Sequence, residues 1–176
     1  MPVTVGNPSP FAATPGPQAS PASQPDEWRY AMTVWAQDCI ANRAKAAYTE
    51  QWPGRWQMVG DKPGAFPISA DCSGFVTGLA RWAGAGDPNG LNFTGGFTGT
   101  LLSHCNHILI SRARMGDLIV FGPGTGSHAV FIMERLPLNN FYCASFGDSQ
   151  GPIRVTLSQM LAYFGQDSAR YLRWLS

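Results

Sequence analysis

The chain has 176 residues, with 12 Lys and Arg against 11 Asp and Glu, for a formal net charge of +1. That length and a hydrophobic share of 44% suit one globular domain with a sizeable core. The near-neutral balance supplies neither the basic face that nucleic acid requires nor a polybasic membrane signal, and no apolar run approaches the roughly 18 residues of a membrane span.

Residues 1–25 carry seven prolines and no Asp, Glu, Lys or Arg. Proline fixes its own φ and donates no hydrogen bond, and the Ser, Ala and Gly between the prolines offer little to bury. This stretch reads as an extended tether, partly polyproline II, ahead of a domain at 26–176. It shows no positive patch followed by an apolar run, so no signal peptide is read, and export by lysis or by delivery on a particle is the expectation.

Asp26 is placed to cap a helix whose stripe runs Trp28, Met32, Trp35 and Cys39, continues through Arg43–Ala46 and stops near Tyr48, before Trp52-Pro53-Gly54. Residues 51–70 read as a Gly/Pro-punctuated loop. A second helix is expected from Cys72 to Ala83, with Phe75, Val76, Leu79 and Trp82 at helical spacing. A long Gly/Asn/Thr-rich loop follows over 84–100, then a short helix over Thr98–Cys105. The second half reads as strands at Asp117–Phe121, His128–Met133, Phe141–Ser145 and Ile153–Val155, a helix at Leu157–Phe164 and a closing strand at Tyr171–Trp174. Helices first, then a mostly antiparallel sheet, is the α+β pattern.

The four cysteines, Cys39, Cys72, Cys105 and Cys143, form no C-x-x-C pair, so reduced thiols are expected and no zinc cage. His104 and His107 flank Cys105 without convincing further ligands, and read as helix-surface or loop residues. No metal or cofactor is expected. Trp28, Trp35 and Trp82 sit on helical stripes as core, whereas Trp52 and Trp56, in the loop before Cys72, are the candidates for a groove.

Cys72 is the residue whose position points to chemistry. A thiolate attacks carbonyl carbon well, but a free thiol at neutral pH is mostly protonated. Cys72 stands where a loop enters a helix, so the helix dipole favours its thiolate and the N–H groups of the first turn are placed to stabilise an oxyanion. Ser73 and Gly74 are small beside it. Asp71 does not lower the thiol pKa; it suits capping the helix or gripping a substrate amine. His128 begins a strand just after a Gly-rich turn, fixed by the sheet yet at its rim, and is the candidate base.

Asp71-Cys72-Ser73-Gly74-Phe75-Val76 at a helix start resembles the NlpC-type peptidoglycan peptidases, a papain-like family. Gly116-Asp117-Leu-Ile-Val-Phe121, followed by Ser127-His128-Ala-Val, is similar to them too, and Phe97-Thr-Gly-Thr-Leu-Leu102 looks like phage and actinobacterial members. The likeness covers about 47–155. It implies a papain-like core with the nucleophile helix packed on a mostly antiparallel sheet. It implies hydrolysis of an amide in the peptide stem of bacterial peptidoglycan, with Cys72 forming a thioester and His128 shuttling the proton. Asp71, Ser73 and Tyr48 are carried over from it as substrate-binding residues.

The third catalytic member departs from the pattern. The family commonly places a histidine on the strand after the base, and Phe146 stands there in this chain. Strand alternation makes Asp148 the first substitute and Gln150 the second, provided the strand stays regular past Gly147. Asp148 in Gly-Asp-Ser equally suits a turn. A second alignment puts Cys143 at the position, and a dyad completed by backbone or water is the remaining option. The expectation is a phage-encoded hydrolase, a lysin or a tail-borne enzyme acting on the cell wall, with phage structural proteins as partners through the tether. The alternative is an inactive member of the same fold that binds the wall or builds a particle.

Overall fold

The computed structural model describes residues 23–147 and 151–175. The elements run, in chain order, α1 (Gln24–Ala41), β1 (Ala46–Tyr48), α2 (Gln57–Gly60), β2 (Ile68–Ala70), α3 (Cys72–Trp82), α4 (Thr98–His104), β3 (Asn106–Ile108), β4 (Leu118–Phe121), β5 (His128–Leu136), β6 (Asn140–Ser145), β7 (Ile153–Thr156), α5 (Leu157–Phe164) and β8 (Arg170–Arg173). Six strands form one antiparallel sheet in the order β3-β8-β4-β5-β6-β7. β1 and β2 form a separate parallel pair. The architecture is α+β, as the sequence pattern implies.

Alternation along β4, β5 and β6 assigns the two faces of the sheet. Leu118, Val120, Ala129, Phe131 and Ala144 join Phe75, Val76 and Leu79 of α3 in the larger core. Ile119, Phe121, Val130, Ile132 and Cys143 face the other way and pack under Leu157 and Met160 of α5. α3 is buried along almost its whole length, from Cys72 to Ala80. Asp71 caps it, its carboxylate accepting from the Gly74 N–H at 2.6 Å. Gly74 is required by close approach: a Cβ there would sit 2.1 Å from the Arg55 carbonyl oxygen.

Several boundaries differ from the sequence reading. α1 starts at Gln24, with Ser23 as N-cap and Asp26 inside the first turn, so the domain reaches at least three residues into the expected tether. The rest of that tether, residues 1–22, lies outside the described residues. α1 also stops at Ala41 rather than Tyr48; a 3-10 turn over Arg43–Lys45 follows, and Ala46–Tyr48 pairs with Ile68–Ala70. Met32, Ala36 and Cys39 form its buried stripe together with Arg29, and Trp28 and Trp35 only flank it. The expected loop over 51–70 holds a 3-10 turn (Gly54–Trp56), α2 and β2. β3 falls in a stretch to which the sequence reading assigned no element.

A buried ion cluster ties the ends of the fold together. Arg29 of α1, fully enclosed, donates to Asp117 Oδ1 at 3.0 Å, to the Met115 carbonyl at 3.0 Å and to the Leu175 carbonyl at 2.5 Å. Arg173 of β8 adds two contacts to the same carboxylate, at 2.9 and 2.7 Å. Gly116 has φ +90°, and a Cβ there would lie 2.3 Å from Arg29 Cγ. Gly116-Asp117 of the recognised motif therefore serves the packing of Arg29.

Candidate active site

Cys72 is the first residue of α3, and α3 packs across β5. Its sulfur lies near the backbone N–H groups of Ser73, in the same turn, and of Ala129, the neighbour of His128 on β5. The nucleophile candidate and the base candidate are thus brought to one end of the β5 strand. Both are nearly enclosed, each 6% exposed. Burial pushes the Cys72 thiol up to about 11; the two N–H groups oppose that, and Asp71 reinforces it. Burial likewise depresses His128 to about 4. The helix N-terminus does not by itself yield a thiolate here, because loss of water outweighs it. At neutral pH the resting pair is therefore a thiol beside a neutral imidazole.

His128 Nε2 lies 2.9 Å from Ser145 Oγ. Ser145 ends β6, where it pairs with Val130 of β5, one step inward from His128 along the same face. Nδ1 has no hydrogen-bond partner among the described residues. The ring also stacks on Phe164 of α5, centroids 5.5 Å apart and planes 11° apart. Ser145 is thus the partner of Nε2 among the described residues, a place for which Asp148, Gln150, Cys143 and a backbone or water partner were the sequence candidates. Asp148 and Gln150 lie outside the described residues. Cys143 is fully enclosed in the second core, beneath α5.

The parity argument built on Phe146 fails at its origin. β6 ends at Ser145, and Phe146 turns into the main core, edge-on to Phe75 and to Tyr48 at 5.6 Å each.

Two lobes of one groove open around this pair. One, about 300 Å³, is lined by Cys72, Asp71, Ser73, Arg55, Phe97 and Thr98. The other, about 470 Å³, is lined by His128, Ser145, Gly147, Met160, Tyr163 and Phe164. Tyr48, Glu50 and Ser127 line both. Tyr48 donates its hydroxyl to Glu50 Oε1 at 3.1 Å, and burial raises its pKa, with Cys72 and Glu50 adding to the rise. Asp71 is fully engaged: besides capping α3 it accepts from Ser73 Oγ at 2.8 Å and pairs with the Arg55 guanidinium. Ser73, almost wholly enclosed, spends its hydroxyl on that carboxylate. Neither Arg55 nor Glu50 was singled out in the sequence. Both lie in the segment that the sequence presents only as helix end and loop, and their importance comes from the fold of β1 and β2 around Cys72.

Trp52 and Trp56 do not line this groove. They stack against each other at 5.9 Å on a separate shallow surface with Pro53 and Gln57, and Trp56 is anchored through Nε1 to the Phe93 carbonyl. His104 lines a different cleft with Asp87, Phe93 and Trp174, and the His107 Nε2 lies 3.2 Å from the Leu102 carbonyl.

Solved structures share this arrangement of helices and sheet. An NlpC/P60 family protein from Bacillus cereus superposes with a TM-score of 0.50 at 17% identity, over 80% of this chain and 40% of its own. A Staphylococcus aureus protein described as similar to lipoprotein, NLP/P60 family, gives 0.51 at 20% identity, over 82% of this chain and 41% of its own. The fold is of the NlpC/P60 type. This chain spans about two fifths of the length of those structures. No protein-family model and no curated protein matches the sequence. Within that frame, α3 carries Cys72 and the β5–β6 pair carries His128 and Ser145.

Proposed function

We propose that this chain hydrolyses an amide bond in the peptide stem of bacterial peptidoglycan, acting as a cysteine endopeptidase or amidase. The observation that carries the reading is the convergence on one groove of Cys72, at the start of α3, and His128, held by Ser145. The NlpC/P60-type fold supports the substrate class. His128, resting neutral, accepts the thiol proton as sulfur attacks the carbonyl carbon, and the amide C–N bond breaks as His128 returns that proton to the leaving nitrogen. Water, deprotonated by the same imidazole, then cleaves the thioester and releases the acid. The Ser73 N–H, beside the Cys72 sulfur, is the donor for the developing oxyanion, the Gly74 N–H being spent on Asp71. The same reading takes the protein as phage-borne, a lysin or a tail-associated hydrolase that meets phage structural proteins through its charge-free, proline-rich head. Its support is the composition of that head and the likeness of Phe97–Leu102 to phage and actinobacterial members.

The low exposure and raised pKa of Cys72 favour one second reading, an inactive member of the fold that binds the wall. Digestion of purified peptidoglycan separates the two. The proposal expects new stem-peptide fragments by mass spectrometry and their complete loss in Cys72→Ala with an unchanged melting curve. Fragment release that survives Cys72→Ala would sink it, and wall binding without fragments would establish the second reading.

A further inference from the structure

The proposed mechanism assigns no part to α5, yet α5 builds the wall of the groove beside the base. Its last residue, Phe164, lies nearly parallel to the His128 ring, 5.5 Å away at 11°. Phe164 is itself held: it stacks on Phe121 at 5.0 Å and 19°, and Tyr163 braces it edge-on at 4.8 Å. Phe121 is the cross-strand partner of His128, so one aromatic plate spans both strands of the β4–β5 pair. A single hydrogen bond from Nε2 to Ser145 fixes one point of the imidazole and leaves the ring free to swing about it. A flat ring held parallel removes that freedom, and it also covers one face from water.

We propose that Phe164 is a positioning residue for His128, fixing the imidazole plane so that Nε2 stays on Ser145 and the ring keeps one orientation toward the groove. This rests on the hydrolase reading for its consequence in catalysis, but the effect on the ring does not. The titratable groups lining the lobe around the imidazole are Tyr48 and Glu50 from the β1 side and Tyr163 from α5; among the described residues no Lys or Arg lines this lobe. The cover on the ring therefore has no cationic rival as the reason that His128 rests near 4.

Three substitutions separate cover from flatness. Phe164→Tyr keeps both, and His128 still titrates near 4. Phe164→Leu keeps the cover without the flat ring; kcat falls about tenfold while KM stays, the equivalent of one aromatic stack, and His128 still titrates near 4. Phe164→Ala removes both, so the His128 titration, followed by its ring-proton NMR signal in a Cys72→Ala background, moves up toward the ordinary value of about 6.5. A Phe164→Leu protein with wild-type kcat overturns the proposal, as does an unmoved titration in a folded Phe164→Ala protein. Should Phe164→Ala not fold, the kcat of Phe164→Leu decides alone. If the wild type cleaves nothing, the hydrolase reading falls; a titration that still moves in Phe164→Ala then keeps the ring-holding role, and one that does not removes it too.

Discussion

A serine behind the imidazole has a different consequence from a carboxylate. A carboxylate stabilises the imidazolium and raises its pKa, whereas a hydroxyl orients the ring and leaves its charge to the surroundings. Burial holds His128 near 4 and, reinforced by Asp71, Cys72 near 11, so in the proposed mechanism the proton moves only as sulfur attacks. Ser145→Ala should lower kcat/KM by roughly tenfold, the loss of about one net hydrogen bond, while Asp148→Asn leaves it unchanged. Steady-state kinetics on a stem-peptide substrate reads both, and the reverse ranking would return the orienting role to Asp148. The places of Cys72 and His128 in the fold were legible because each stands in a run of neighbours that dictates it, the helix start and the strand start. Ser145 was not: its role depends on a β5–β6 register with a shift between Ile132 and Glu134, which no local pattern announces.

At the scale of elements, the parts read correctly are those set by local chemistry, and those missed are set by distant partners. α5 is bounded by a reciprocal cap between Thr156 and Gln159, and its range Leu157–Phe164 follows from the sequence. Ala46–Tyr48 is good helix material, and becomes a strand only because Ile68–Ala70 lies alongside it. Arg29 is hidden in the same way: on a helical wheel it interrupts an apolar stripe, and its burial makes sense only when Asp117 and the Leu175 carbonyl are in place. Asp117→Asn leaves that guanidinium enclosed without its counter-charge and should reduce the unfolding free energy by about 3–5 kcal/mol. Glu134→Gln, which breaks the exposed pair with Arg154, should cost less than about 1 kcal/mol. Urea unfolding of the two variants checks the ranking; equal losses would mean that the Arg29 cluster is not a keystone of the fold.

For the whole molecule, the buried titratable groups set the pH range in which the fold holds. His128 binds its proton near 4 when folded and at about 6.5 when unfolded, so between those values the unfolded chain holds more protons and stability falls as pH falls, by about 3 kcal/mol in all. The four free thiols act at the other end. Cys39, Cys105 and Cys143 are pushed up to about 12 by burial, and Cys72 to about 11, against an ordinary value of 9.0. Above that value the unfolded chain releases protons that the folded chain retains, so stability falls as pH rises, by about 5–6 kcal/mol at pH 10 for the four together. The expected profile is a plateau between about pH 6.5 and 9 with a decline on both sides. Denaturant midpoints measured across that range test it, and His128→Gln should flatten the acid side alone. An acid decline that persists undiminished in His128→Gln would assign it to the carboxylates and show the imidazole to be better solvated than its enclosed position between Ser145 and Phe164 requires.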